Sequence, residues 1–307
     1  MLCLGLGQNP PQCLASIFGA PPGSQTDEES YYKNAYTIID LPLAELLADY
    51  PELQGLQPAG SQQDLPTILS KVGTTVERLY QDLPSVAADE QITQQQYGYD
   101  GRVKSTTRHA FAYLIIVNRD QPVPALQEYR TDDRGKPVES TGVSQGFDST
   151  TNFASMWVLL YPDNQSETNF RYVGQQTSGG RNLYVVAFAE RPGEAAVKGL
   201  VDAGGRSAVL LYQGLAWIDA ASYRIVKMRL DLLEPRLDVA LERSTTEIQF
   251  GEFRIPQAVV WLPREVTVTT IYNGQMYRNR HVYSNFKRFV VHSEIKPVEE
   301  PKPHPPD

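Results

Sequence analysis

The chain has little cysteine and little histidine. Its 307 residues include two Cys, at positions 3 and 13, and four His. Two cysteines close to the start can build neither a disulfide framework nor a four-cysteine zinc site. No HxH or HExxH spacing brings two histidine ligands together, so each is expected to be exposed or locally hydrogen-bonded. We therefore expect no metal and no cofactor. The four histidines are His109, His281, His292 and His304.

Long apolar runs and an excess of basic charge are also missing. No stretch after the start approaches the roughly 20 apolar residues that cross a bilayer, which argues against an integral membrane protein. The opening "MLCLGLG" is too short for a complete signal sequence and is interpreted as a possible remnant of one. The formal net charge is −8, without a basic block, which makes nucleic acid a poor partner.

Aromatic and branched residues are abundant, and two segments have helical spacing. Seventeen Tyr, ten Phe and three Trp favour strands, whose half-buried surfaces suit such side chains. Leu43, Leu46 and Leu47 share one face of a short helix that Pro51 should end. Apolar residues then recur at helical spacing over residues 65–83, after Asp64 as a good N-cap, which predicts a helix of about 20 residues. The stretch "STTNFASMWVLLYP" is compatible with a second helix or a strand.

From residue 91 the hydrophobic period changes to two. Segments of alternating polarity follow one another with connections too short for helical crossovers, which predicts antiparallel meanders. The predicted fold class is α+β: a large curved antiparallel sheet, an incomplete β-barrel, packed against one or more helices. Residues 1–30 are interpreted as a disordered leader or remnant signal, residues 31–292 as one helix-capped half-barrel domain, and residues 293–307 as a Pro-rich tail.

The stretch "LAWIDAASYRIVKMRLDLL", residues 215–233, predicts a β-hairpin. Asp219 begins its turn, where an Asp side chain accepts hydrogen bonds from the following amides. Met228 and Leu230 alternate with charged residues, as in a strand with one wet face. Asn273-Gly274 predicts a two-residue type I′ turn. Adjacent aspartates in "RTDDRGKP" likewise indicate a turn and not a catalytic carboxylate pair.

Two further motifs allow chemical alternatives. "GVSQG" matches the GxSxG motif, in which a sharp turn between a strand and a helix exposes a nucleophilic serine, here Ser144. The sequence lacks the alternation of strands and helices that this turn requires, so a loop is favoured. Arg278, Arg280, Lys287 and Arg288 form a basic strip in "YRNRHVYSNFKR". A solvated strand face is the ordinary explanation for such a strip. Arg278 and Arg280 are also candidates for contact with an anionic headgroup or a partner's acidic edge.

The segments "LAELLADYPELQGLQPAG", "LYVVAFAE", "AWIDAASYRIVKMRL" and "LPREVTVTTIYNGQMYRNRHVYSNFKRF" together resemble the outer-membrane lipoprotein carrier (LolA/LolB-like) group, and more closely bacterial envelope proteins of that type. The resemblance spans about residues 40–292. It implies an incomplete barrel lidded by helices, which holds acyl chains in an apolar cavity, and a periplasmic or secreted protein that is not an enzyme. The longer chain, its leader and its tail depart from the group, and ligand-contacting residues cannot be matched one by one.

Three functional hypotheses follow from these patterns. The first is a protein that sequesters an acyl chain, lipoprotein or other apolar ligand without covalent chemistry. The second is a scaffold that binds other envelope proteins through a sheet edge or the tail. The third is a serine hydrolase using Ser144. The candidate cavity residues, each equally compatible with ordinary core packing, are Trp217, Met228, Leu230, Phe250, Val266 and Val268.

Overall fold

A computed structural model describes residues 30–119, 125–138, 153–195, 197–203 and 206–289. The α-helices that lie wholly within these ranges are α1 (Leu43–Asp49) and α2 (Leu65–Asp82). The 3-10 helices are Pro51–Leu53, Met156–Leu160, Pro162–Glu167 and Leu237–Val239. The predicted helices at residues 43–50 and 65–83 are thus confirmed. Asp64 occupies the predicted N-cap position of α2, but its side chain makes no capping hydrogen bond with the described residues.

Strands make up most of the remaining described chain. They are β1 (Gln57–Pro58), β2 (Val86–Tyr97), β3 (Val103–Asn118), β4 (Ala125–Thr131), β5 (Thr168–Ser178), β6 (Arg181–Glu190), β7 (Gly199–Ala203), β8 (Arg206–Leu210), β9 (Tyr212–Asp219), β10 (Ile225–Leu232), β11 (Leu241–Ile255), β12 (Ala258–Tyr272) and β13 (Gln275–Arg288).

Eleven of these strands form one antiparallel sheet. Its order is β1-β5-β6-β9-β10-β11-β12-β13-β2-β3-β4, and β7 and β8 pair separately as a hairpin. Most neighbours in the order follow one another along the chain, as expected for meanders joined by short turns. The sheet does not close, since β1 and β4 lie at its two ends. The predicted fold class, an incomplete barrel of antiparallel strands packed against helices, is confirmed.

The sequence prediction differs from the structure in three places. β2 was not among the predicted strands, because the buried Glu90 interrupts its apolar alternation. The segment "SAVLLYQGLAWID" is divided between β8 and β9, which belong to different sheets. The segment "STTNFASMWVLLYP", whose pattern is compatible with a helix or a strand, contains the short 3-10 helix Met156–Leu160.

The sheet buries apolar side chains on both faces. The inner face, defined as the one against α2, packs on Ile68, Val72 and Val76 of that helix and on residues 153–161. The outer face packs instead on the N-terminal segment of residues 38–56. A helix facing the sheet on each side is the expected way to bury two apolar surfaces.

The predicted turns are confirmed. Asp219 accepts hydrogen bonds at Oδ1 from the backbone nitrogens of Ala221 (3.1 Å) and Ser222 (2.7 Å). In its own turn, Asp132 accepts hydrogen bonds at Oδ1 from the backbone nitrogens of Arg134 and Lys136. Asn273 and Gly274 have φ values of 49° and 70°, as a type I′ turn requires. These aspartates shape the backbone, and the structure gives them no catalytic arrangement.

Candidate functional site

Five of the six predicted apolar residues lie together on the inner face. Met228 of β10 pairs with Ile248 of β11, which pairs in turn with Val266 of β12, so these side chains form one row across three strands. All five belong to the same apolar cluster and are at most 7% exposed. The row is a continuous apolar surface of the kind that an acyl chain could contact. The five residues are Met228, Leu230, Phe250, Val266 and Val268.

Trp217 is the exception, and its predicted place on the inner face is wrong. It pairs with Lys227, whose side chain is on the outer face, and the Lys227 ammonium lies 4.8 Å from the centre of its ring. Its neighbours there include Leu46 and Leu53. The indole nitrogen donates a hydrogen bond of 2.8 Å to Gln176. β9 is buried on both faces, so its run of apolar residues does not show which face Trp217 takes.

The segment of residues 153–161, here called the plug, covers the inner face together with α2. Its Trp157 is fully buried and stacks on Phe250 with ring centres 5.7 Å apart. The same indole meets Tyr80 of α2 edge to face at 6.1 Å. The plug's described backbone hydrogen bonds are local turns, with no strand ladder to the sheet. Side-chain packing therefore holds much of it in place.

A buried charge cluster adjoins this apolar row. Glu90 of β2 is completely buried and receives two hydrogen bonds from the Arg130 guanidinium, at 2.5 and 2.8 Å. The Tyr283 hydroxyl donates a third at 2.9 Å, and Nδ1 of His281 lies 2.9 Å from the same carboxylate. The bidentate hydrogen bonding between Arg130 and Glu90, together with the additional donors, compensates for the desolvation of the two buried ions.

A second carboxyl group anchors the plug to this cluster. Glu128 accepts hydrogen bonds from the Ser155 backbone nitrogen (3.1 Å), the Ser155 hydroxyl (3.2 Å) and the Tyr113 hydroxyl. Burial raises the pKa of Glu128, although these hydrogen bonds act to lower it. Phe153, at the start of the plug, lies edge to face on His281 with ring centres 5.3 Å apart. The plug is thus fastened at its first residues by polar contacts and beyond them by apolar ones.

The carboxylate of Glu90 predicts a specific sensitivity to acid. Burial raises its pKa, but the hydrogen bonds with His281 and Arg130 outweigh that effect and hold the pKa at about 2. Because the folded-state pKa lies below the unfolded value of about 4.3, this group contributes stability above pH 4.3 that is lost as the pH falls towards 2. Urea unfolding at pH 6 and pH 3 should show this loss, roughly 1–2 kcal/mol by pH 3, in the wild type.

The matched variant for the acid experiment is Glu90→Gln, which keeps the shape and removes the titration. Glu128 changes stability with the opposite sign, since its raised folded-state pKa favours the folded protein at low pH. It is present in both proteins, so the difference between their pH slopes reports Glu90. Equal slopes in the two proteins would contradict the low pKa.

Three clefts are found on the described part of the chain, and one of them reaches the apolar row at Phe250. Their volumes are about 480, 630 and 470 Å³. The first lies beside Arg229, the second beside Arg119, and the third is bordered by Phe250. None of the three is lined by Met228 or Val266. The five residues of the row are at most 7% exposed within one packed cluster, so a ligand for the row must take the place of side chains that now fill it.

The remaining predicted site residues are separated from the inner face. Arg278 and Arg280 of β13 are exposed on the outer face, and Arg280 is paired with Glu265 through two contacts of 2.8 and 2.6 Å. His109 is half-buried and stacks on Phe111. His281 is locally hydrogen-bonded as predicted, but buried. Ser144, His292, His304 and the tail lie outside the described residues.

Sequence reasoning missed the charge cluster. Tyr277, Asn279, His281 and Tyr283 alternate along β13 and share one face. Glu90 and Arg130 come from distant positions in the sequence. The stretch "VAADEQITQQQY" does contain a signal for the cluster. If it is interpreted as a strand, Glu90 lies between Ala88 and Ile92 on the same apolar face, which indicates a buried carboxylate.

The chain was compared with protein families, curated proteins and solved structures. No family model and no curated protein matches the chain. Similar solved structures include a domain named for outer membrane lipoprotein sorting from Vibrio parahaemolyticus (10% identity, TM-score 0.40), a DUF1329 family protein from Desulfovibrio piger (12%, 0.37) and a LolA superfamily protein from Nitrosomonas europaea (9%, 0.35). Each likeness covers 74% of this chain and 94% of the other. At TM-scores below 0.5 the likenesses carry no inference about ligand or activity.

Among the described residues, none of the helices combines the length and the apolar character of a membrane-spanning segment. No cluster of three or more His, Cys, Asp or Glu side chains in the described ranges could hold a metal ion.

Proposed function

We propose that this chain is a non-enzymatic binding protein that takes up an acyl chain, of a lipid or a lipoprotein, on the inner face of its open sheet. The same proposal places it in the periplasm or outside the cell, where such a carrier would work. The observation that carries it is the apolar row from Met228 to Val266, which shares one buried cluster with a plug whose described backbone makes no strand pairing with the sheet.

The plug offers the row the same chemistry that an acyl chain would offer. Its 3-10 helix, Met156–Leu160, contributes four buried apolar side chains, including Trp157 and Leu159. Burial of one CH2 group contributes about 0.8 kcal/mol, so an acyl chain that replaces the plug restores a comparable apolar contact. The exchange conserves buried apolar area, which keeps its free-energy cost small.

Native mass spectrometry tests the proposal directly. The protein should be purified without detergent from an envelope fraction, kept in its folded complex and then dissociated in the gas phase. We expect a bound species with the mass of an acyl lipid or acylated peptide, and release of that species on unfolding. Ligand-free protein that also fails to take up added lipid would overturn the proposal.

A fluorescence titration measures the affinity of the same site. The apolar dye N-phenyl-1-naphthylamine should gain fluorescence on binding to delipidated wild-type protein, and long-chain lipids should displace it. A binding ligand stabilises the folded state by about 2.7 kcal/mol at 100 times its Kd, so the midpoint of thermal unfolding should rise in parallel. Dye binding without any rise in the unfolding midpoint would contradict binding to the native fold.

A further inference from the structure

Two buried polar side chains beside the apolar row lack hydrogen-bond partners among the described residues. Asn279 of β13 is 1% exposed, and within that part of the chain neither its amide nitrogen nor its amide oxygen has a partner. Thr270 of β12 is 2% exposed, and its hydroxyl likewise has no partner there. Buried polar groups are nearly always paired, because desolvation is otherwise uncompensated. Two such residues together require an explanation.

Their position connects them to the proposed acyl site. Asn279 is paired in register with Val268, and Thr270 is paired with Tyr277, so the two polar residues are diagonal neighbours on the inner face. Asn279 is two residues from His281, on which Phe153 of the plug lies. Movement of the plug away from His281 would therefore open the sheet face next to Asn279 and Thr270, here called the polar corner.

We infer that Asn279 and Thr270 form a head-group subsite for an uncharged, hydrogen-bonding amphiphile. The inference rests on the proposed function and adds the chemical class of the ligand's polar end. An Asn side chain offers both donors and an acceptor, and a Thr hydroxyl offers one donor and further acceptor capacity. These suit a hydroxyl, ester or amide group. Monoacylglycerols have such a head.

The neighbouring charges favour a neutral head over a carboxylate. Arg130 is held by Glu90 through two hydrogen bonds, so its charge is already compensated. His281 contacts the same carboxylate. A ligand carboxylate next to Asn279 would have to be desolvated close to Glu90 without a free counter-ion from these two residues, which is costly.

Displacement of N-phenyl-1-naphthylamine by two ligands with the same acyl chain tests the subsite. Monolauroylglycerol has a neutral head and laurate an anionic one. Wild-type protein should bind the monoacylglycerol more tightly. Asn279→Leu and Thr270→Val should each weaken monoacylglycerol binding about three- to tenfold, the range of one or two hydrogen bonds, while affinity for the dye stays unchanged. Both variants should unfold at an equal or higher temperature than the wild type, since an unpaired polar group has been removed.

The control variant is Thr269→Val, one residue along β12 on the outer face and paired with Arg278. It should leave both ligands unaffected. Dye binding with equal displacement by monolauroylglycerol in wild type, Asn279→Leu and Thr270→Val would overturn the subsite and leave the acyl site standing. Stabilised variants with unchanged ligand preference would show that the polar corner holds water only, which also overturns it. Wild-type protein that binds neither dye nor lipid would overturn the proposed function and the subsite with it.

Discussion

Arg130→Met should lower the free energy of unfolding by about 3–5 kcal/mol, because it leaves the carboxylate of Glu90 buried without its main counter-ion. The guanidinium and the carboxylate are 4% and 0% exposed, so water cannot take the place of the lost partner. Chemical denaturation at pH 7 measures the loss. Methionine keeps the apolar length of the side chain, which limits the contribution from lost packing.

The matched control for this change is Arg278→Met on the outer face. Arg278 is exposed, and the same substitution there should change stability by less than about 0.5 kcal/mol. The double variant Arg130→Met/Glu90→Gln should recover part of the loss, since no charge is then left unpaired. A small effect of Arg130→Met, comparable with that of the control, would show that the cluster is hydrated in solution.

Trp157→Ala should destabilise the ligand-free protein by about 3–5 kcal/mol and should also enlarge the response to an acyl ligand. The first effect follows from the cavity left by a fully buried indole between Phe250 and Tyr80. The second follows if an acyl chain fills the space that the indole vacates. The rise in unfolding midpoint produced by a saturating monoacylglycerol should therefore be larger in the variant than in the wild type.

A second buried tryptophan makes the comparison specific. Trp217 is 4% exposed and lies on the outer face, so Trp217→Ala should also destabilise by a few kcal/mol, roughly the same range. Its response to the ligand should nevertheless equal that of the wild type, because the inner face is unchanged. Equal ligand responses in the two variants would contradict an inner-face site.

The sequence predicted the architecture well where local patterns decide structure. Alternation in β9 to β13 identified the meander, and turn residues such as Asn273 located its connections. Helical spacing identified α2. Each of these signals acts over a few residues, which is the range that a single sequence can report.

The candidate site was predicted only in part, since its arrangement depends on contacts between distant residues. Met228 and Val266 lie on one face, whereas Trp217, in a strand that is buried on both faces, lies on the other. The partners Glu90 and Arg130 are 40 residues apart in sequence, and no local pattern joins them. Burial of such a pair becomes visible only when β2, β3, β4 and β13 are assembled.

The central claim is that an acyl ligand binds the inner face by displacing the plug, and fluorine NMR of protein labelled with 5-fluorotryptophan tests it most directly. The chain has three tryptophans: Trp157 in the plug, Trp217 on the outer face, and Trp261 in the inner core, where its indole nitrogen donates a hydrogen bond to the Ile225 carbonyl. On saturation with monoacylglycerol we predict a large shift and increased solvent exposure for the Trp157 signal and no change for Trp217. A ligand that binds while the Trp157 signal stays fixed would contradict the claim.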